Sequence, residues 1–109
     1  FGNKDSSVLY KFTKSKNLWE KRVAVISCFY FIQQKEIKTF FEIVEILKSD
    51  KHDLIQKAIG WMLREVYKRC DEGVVRKFLE ENIKTIPRTT LRYAIEKMDI
   101  MERKIWLGK

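Results

Sequence analysis

The sequence predicts an all-α fold made of stacked helical repeats. Three observations carry this reading. Apolar residues recur at helical spacing along most of the chain. Proline and glycine are sparse, one and four among 109 residues, whereas a many-stranded fold needs them at its turns. Three basic residues, Arg22, Lys57 and Arg92, recur at an interval of 35 positions. They sit in LWEKRVAVISCFYF, DLIQKAIGWMLREV and RTTLRYAIEKM. Aligned on the cation, Val23, Ala58 and Tyr93 follow, and then Ala24, Ile59 and Ala94. A fixed period of this length is the mark of repeated helical units rather than of one irregular bundle. If the units stack, the three cations line one face, and a row of cations on a concave helical surface suits a phosphate backbone.

The elements follow in order. FGNKDSS holds turn-forming residues, with Asp5 or Ser6 as a cap, and a short helix follows to about Lys14. KSKN is a loop in which Asn17 can cap the next helix. Leu18 to about Gln34 is so apolar, with Val23, Ala24, Ile26, Phe29, Tyr30 and Phe31, that a central helix is expected. Its β-branched and aromatic content also suits a strand, but its length, flanking charges and lack of turn signals favour helix. Lys35 and Glu36 make the break. Ile37 to Lys48 repeats apolar residues at Ile37, Phe40, Phe41, Val44 and Leu47. Ser49 to Lys51 form a turn. Asp53 to Arg69 is the clearest helix, with Leu54, Ile55, Ala58, Ile59, Met62, Leu63 and Val66 on its apolar face. Asp71 and Gly73 mark another turn before a helix from Val74 to Asn82. Pro87 suits a helix first turn, continued by Arg88 to Met98. A last helix from about Met101 to Leu107 carries Trp106. Alternating helices and short loops are the pattern of a solenoid of antiparallel pairs, forming one domain over residues 1–109.

Composition narrows the function. With 45% hydrophobic residues the chain can bury a core. Its formal net charge of +8 points to a polyanionic partner, with nucleic acid favoured over a membrane surface or an acidic protein. No apolar run reaches the ~20 residues that span a bilayer, VAVISCFYFI being about half that. Cys28 lies in an apolar run and reads as a small buried hydrophobe, while Cys70 sits at a helix end among charges. Two cysteines, the single His52 and no CxxC spacing argue against zinc, and no metal or cofactor is expected. No signal peptide is visible, so a reduced, cytoplasmic protein is expected.

The candidate functional residues lie on the helix that begins at Asp53. Lys57, Trp61, Arg64 and Lys68 fall at i, i+4, i+7 and i+11 and share one stripe. Cations can hold phosphates while the indole meets sugar or base surfaces. The alternative is that Trp61 belongs to the core and the charges form a solvated face. Gly60 leaves room for close approach by another helix or by a ligand backbone. Arg22, a charge in an apolar helix, must pair or reach water. Glu20, Glu42 and Glu45 are its candidate structural partners, and a phosphate is the other reading. Arg64 in LRE can equally bridge to a neighbouring repeat. Arg88 and Arg92 lie one turn apart near a helix N-terminus, where anions are favoured. No nucleophile–base spacing, acid–base carboxylate pair or phosphate-binding glycine loop is visible.

KAIGWMLREVYKR, together with NLWEKRVAVISCFYFIQQKE and PRTTLRYAIEKM, resembles the DNA alkylation repair proteins of the AlkD type, which are HEAT-like-repeat DNA glycosylases. The three stretches run in the family order and cover most of residues 17–98. The resemblance implies a right-handed solenoid of six to seven helices in this chain, with a basic concave groove for alkylated double-stranded DNA. It implies hydrolysis of the N-glycosidic bond of N3- or N7-alkylated purines whose bases stay stacked. It implies that Trp61 packs against the lesion-bearing deoxyribose, that Arg22 stands at the active-site wall, and that Lys57 and Arg64 share the DNA-facing helix. Arg22, Lys57, Trp61, Arg64, Lys68, Arg88 and Arg92 are thus the expected DNA contacts. The family's catalytic aspartate belongs to a stretch upstream of a glycine like Gly2, and Asp5 does not match it. The chain is therefore expected to be the C-terminal half of such an enzyme, inactive alone and free to self-associate through its uncapped N-terminal end. A non-catalytic DNA-binding module and a protein-interaction scaffold are the competing readings.

Overall fold

A computed structural model describes residues 7–109. Among the described residues there are seven helices and no strand. They are α1 (Ser7–Thr13), α2 (Leu18–Gln33), α3 (Lys38–Leu47), α4 (Asp53–Arg69), α5 (Glu72–Asn82), α6 (Arg88–Ala94) and α7 (Ile100–Leu107). The caps expected at Asp5 or Ser6 lie outside the described residues.

Local chemistry sets most of the boundaries. The Asn17 side chain accepts from the N–H groups of Trp19 and Glu20 and starts α2. α2 closes in a Schellman turn: Glu36 N–H donates to Phe31 O at 2.8 Å and Lys35 N–H to Ile32 O at 2.9 Å. The turn needs a left-handed residue, and Lys35 supplies it at φ 63° in place of the usual glycine. α5 starts at Glu72 rather than Val74, because Asp71 acts as a cap and not as a loop residue. Its carboxylate accepts from Gly73 N–H at 2.8 Å and from Val74 N–H at 3.3 Å. α6 ends at Ala94, short of Met98, and isolated turns carry the chain on to Asp99, which caps α7.

The helices form two rows. α4 packs against α2 on one side and α6 on the other. α3 packs on α1 and α2, and α5 packs on α4. The Phe41 and Phe78 rings, 5.7 Å apart, join α3 to α5. The molecule measures 40 × 29 × 18 Å, and its short dimension is that of two helices of roughly 10 Å diameter. This packing order is compatible with a solenoid of helical pairs. No described helix is long and apolar enough to cross a membrane.

The core runs between the rows, with Phe40, Ile43, Ile55, Met62, Leu63 and Leu79 fully enclosed. Sequence places α2 at the centre, but α4 occupies it. α2 stands at the edge of its row, so it buries Ala24, Val25, Cys28, Phe31 and Ile32 and leaves Trp19 62% exposed. Cys28 is the buried hydrophobe expected of it, its thiol pushed up to about 12 by burial.

Gly60 fixes the distance between α4 and α6. A Cβ on it would lie 2.7 Å from both Thr90 O and Tyr93 Cβ. One turn earlier, the buried Thr90 hydroxyl meets Gln56 at its carbonyl (3.1 Å) and its Oε1 (2.8 Å). The Gln56 amide in turn donates to Leu47 O, Lys48 O and Asp50 O, which terminates α3. Buried Gln56 and Thr90 thus satisfy each other and the end of a neighbouring helix. Gly60→Ala is expected to force the two backbones apart and to destabilise the fold by about 1–3 kcal/mol, read as a lower urea midpoint at unchanged slope.

Candidate nucleic-acid interface

The α4 stripe faces outward. Lys57 and Lys68 are exposed and Trp61 is 39% exposed, while Ala58, Ile59, Met62 and Leu63 turn inward. Trp61 is therefore a rim residue and not part of the core. It borders a pocket of about 190 Å³ lined by Arg22, Leu54, Lys57, Ala58, Trp61 and Tyr93. Three helices build it: α2 gives Arg22, α4 gives four residues and α6 gives Tyr93. Beyond Tyr93 a second pocket of about 240 Å³ is lined by Arg92, Tyr93 and Glu96. Two of the three cations in the repeated register thus share one pocket, and the third lies across Tyr93 from them.

Ion pairing separates these cations. Half-buried Arg22 makes no hydrogen bond or ion pair with another described residue. Its candidate structural partners are engaged elsewhere, Glu20 with Ser15, Glu42 with Tyr10 and Glu45 with Lys48. Lys57 pairs with Asp53 at 3.0 Å, both exposed. That hydrogen bond holds the Lys57 ammonium pKa above its ordinary value, with the nearby Tyr93 phenol adding a little. Such an exposed i,i+4 pair is weak, screened by solvent on both sides, so an arriving phosphate can displace it.

Arg64 is tied into the fold. Its Nη1 donates to Glu96 Oε1 at 2.9 Å and its Nη2 lies 3.5 Å from Glu65 Oε2. It therefore bridges α4 to the turn after α6. Buried Glu65 is also held by Arg69 at 2.8 Å. Burial would raise the Glu65 pKa, but Arg69 and Arg64 keep it low. Arg88 donates to Leu107 O at 2.8 Å and closes the end of α7. Lys68 and Arg92 are exposed.

The turn beside Arg22 is fixed by a half-buried carboxylate. Asp50 accepts from Lys21 Nζ at 2.8 Å and from His52 N–H at 2.9 Å, with His52 Nδ1 at 2.8 Å. Burial would raise its pKa, yet these partners lower it to about 2. The contact pins the α3–α4 connection to α2, and so sets Arg22 against the start of α4.

The pocket's chemistry is cationic and aromatic. None of its lining residues is acidic. Among the described residues, no three His, Cys, Asp or Glu side chains gather as a metal site. Leu54, Ala58 and Tyr93 were not legible as pocket residues. Leu54 and Ala58 read as core by periodicity, and Tyr93 reaches the pocket only because Gly60 lets α6 approach.

Comparison with known families gives one finding. The model of the family described as DNA alkylation repair enzyme matches residues 2–98. α7 follows the matched span. No curated protein matches the chain.

The folded Asp50 carboxyl titrates below its unfolded value of about 3.9, so its stabilisation is present above that value and is lost as pH falls through about 2. Stability should drop by on the order of 1 kcal/mol through this group between pH 5 and pH 2, after allowance for solvent screening. Asp50→Asn should be less stable than the parent at pH 7, with the two urea midpoints converging near pH 2.

Proposed function

Because the chain belongs to the DNA alkylation repair enzyme family, we propose that its α2–α4–α6 face forms part of the DNA groove of an alkylpurine DNA glycosylase. The observation that carries this is the pocket in which Arg22, without an ion-pair partner among the described residues, and a weakly paired Lys57 flank the exposed Trp61. In this reading the two cations hold phosphates on either side of one nucleotide, and the indole face lies along its deoxyribose. Arg92 meets the next phosphate beyond Tyr93. Lys68 extends the cationic stripe along α4. Arg64 and Arg88, engaged within the protein, hold the groove's shape.

An N3- or N7-alkylated purine already carries positive charge and leaves readily as a neutral base. What the reaction lacks is stabilisation of the oxocarbenium-like sugar and a positioned water. An electron-rich indole beside the sugar supplies part of that electrostatic stabilisation. A carboxylate would supply the rest and orient the water. No acid among the described residues lines this pocket, so in this reading the carboxylate comes from another part of the enzyme and these residues alone bind without cleaving. The same acid-free lining favours a second reading, a DNA-binding module of the family with no catalytic step.

Binding to a short duplex across a salt series tests the groove. The parent should weaken steeply as salt rises, and a variant carrying Ala at Arg22, Lys57 and Arg92 should show a slope shallower by up to about three. Equal slopes would remove these cations from the interface. Trp61→Ala should keep the parent's helicity by circular dichroism and lose about 5- to 50-fold in duplex affinity. Release of free alkylated purine from methylated DNA by these residues alone would overturn the need for an outside carboxylate.

A further inference from the structure

α2 is apolar on the side that faces solvent as well as on the side that faces the core. Its buried residues are Ala24, Val25, Cys28, Phe31 and Ile32. Trp19 at 62% and Val23 at 40% exposure lie on the opposite side, with half-buried Ile26 one turn beyond Val23. Trp19, Val23 and Ile26 fall at i, i+4 and i+7 and so form one stripe. A tryptophan this exposed on a regular helix leaves a large apolar surface in water, and such a stripe calls for a ligand or partner.

The repeat register places the stripe. At the 35-residue interval Trp19 corresponds to Leu54, Val23 to Ala58 and Ile26 to Trp61. Those three α4 residues line the pocket beside Lys57. The stripe is therefore the α2 counterpart of the pocket's α4 lining. Trp19 stands one turn from Arg22, which lines the pocket that Trp61 borders.

The surrounding charge selects the occupant. Glu20 is engaged with Ser15, and Lys21 with Asp50. Arg22 is left without a described partner, and Lys16 is exposed in the preceding loop. An aromatic face beside cations that no described residue pairs suits a sugar–phosphate strand, in which apolar deoxyribose faces alternate with phosphates. A second copy of the chain is disfavoured, because it would bring another body of net charge +8 onto the same cations.

We infer that Trp19 is a second aromatic contact for duplex DNA, packing on a deoxyribose of the strand that runs past Arg22 out of the Trp61 pocket. The inference rests on the proposed DNA-binding role of that pocket. It lengthens the DNA-facing track by one turn of α2 and adds an aromatic residue one turn from Arg22. The contact is neutral, so it adds affinity without adding salt dependence.

The test is duplex binding by Trp19→Ala and Trp19→Phe in a salt series, with sedimentation of each variant. Because Trp19 is exposed and its cap contact uses only backbone N–H, Trp19→Ala should fold as the parent does. It should bind a duplex about 5- to 50-fold more weakly at an unchanged salt slope, and Trp19→Phe should recover most of the loss. Parental affinity in Trp19→Ala, while the parent binds in a salt-dependent way, would overturn the inference and leave the pocket's role intact. A parent that binds no duplex would overturn the pocket's role and this inference with it. A parent dimer that dissociates on Trp19→Ala would assign the stripe to self-association instead.

Discussion

The close approach of α4 and α6 at Gly60 governs the rest of the molecule. With no side chain at that position, the Thr90 backbone and the Tyr93 Cβ settle against the α4 backbone. Gln56 then reaches Thr90 on one side and the last carbonyls of α3 on the other. One small residue thus brings three helices into register. The same contact delivers Tyr93 to the wall of the pocket that Arg22, Lys57 and Trp61 share. Stability and site geometry depend on it together, so substitutions here should not separate the two.

A protein of net charge +8 has to decide which cations serve its own fold. Lys21 holds Asp50, Arg64 and Arg69 hold Glu65, and Arg76 grips Glu102 with two nitrogens at 2.8 and 3.0 Å. Arg88 caps α7. These side chains fix turns and helix ends through charge-assisted hydrogen bonds. Arg22, with no described partner, and Lys57, with only an exposed one, stand apart from them. Their availability, more than the net charge, is what supports the proposal that the α2–α4–α6 face meets a polyanion.

Much of the architecture was legible in the residues. The helices from Leu18 and from Asp53 begin where their polar leads and apolar periods say they should. The 35-residue interval anticipated that α2, α4 and α6 are equivalent elements, and they do lie side by side. Other features were not legible, for definite reasons. A left-handed lysine at position 35 has no signature, since glycine is the residue that sequence rules look for there. Asp71 read as a turn residue because turn and cap use the same side-chain chemistry. The apolarity of α2 suggested burial on all sides, while the fold leaves one side open. Whether Arg64 pairs within the protein or faces a ligand depends on where Glu96 lands after α6, a distance of tertiary origin.

The most direct test of the DNA-facing assignment uses the three indole N–H signals of Trp19, Trp61 and Trp106 as resolved reporters during titration with a short duplex. Trp106 is buried and its Nε1–H donates to Glu102, so it reports on the fold away from the proposed face. If duplex DNA seats on α2, α4 and α6, the Trp61 signal moves saturably and the Trp106 signal stays in place. A Trp61 signal that stays still at saturating duplex, while Trp106 or the amides of α3 and α5 move, would contradict the assignment and put the DNA on the other row of helices.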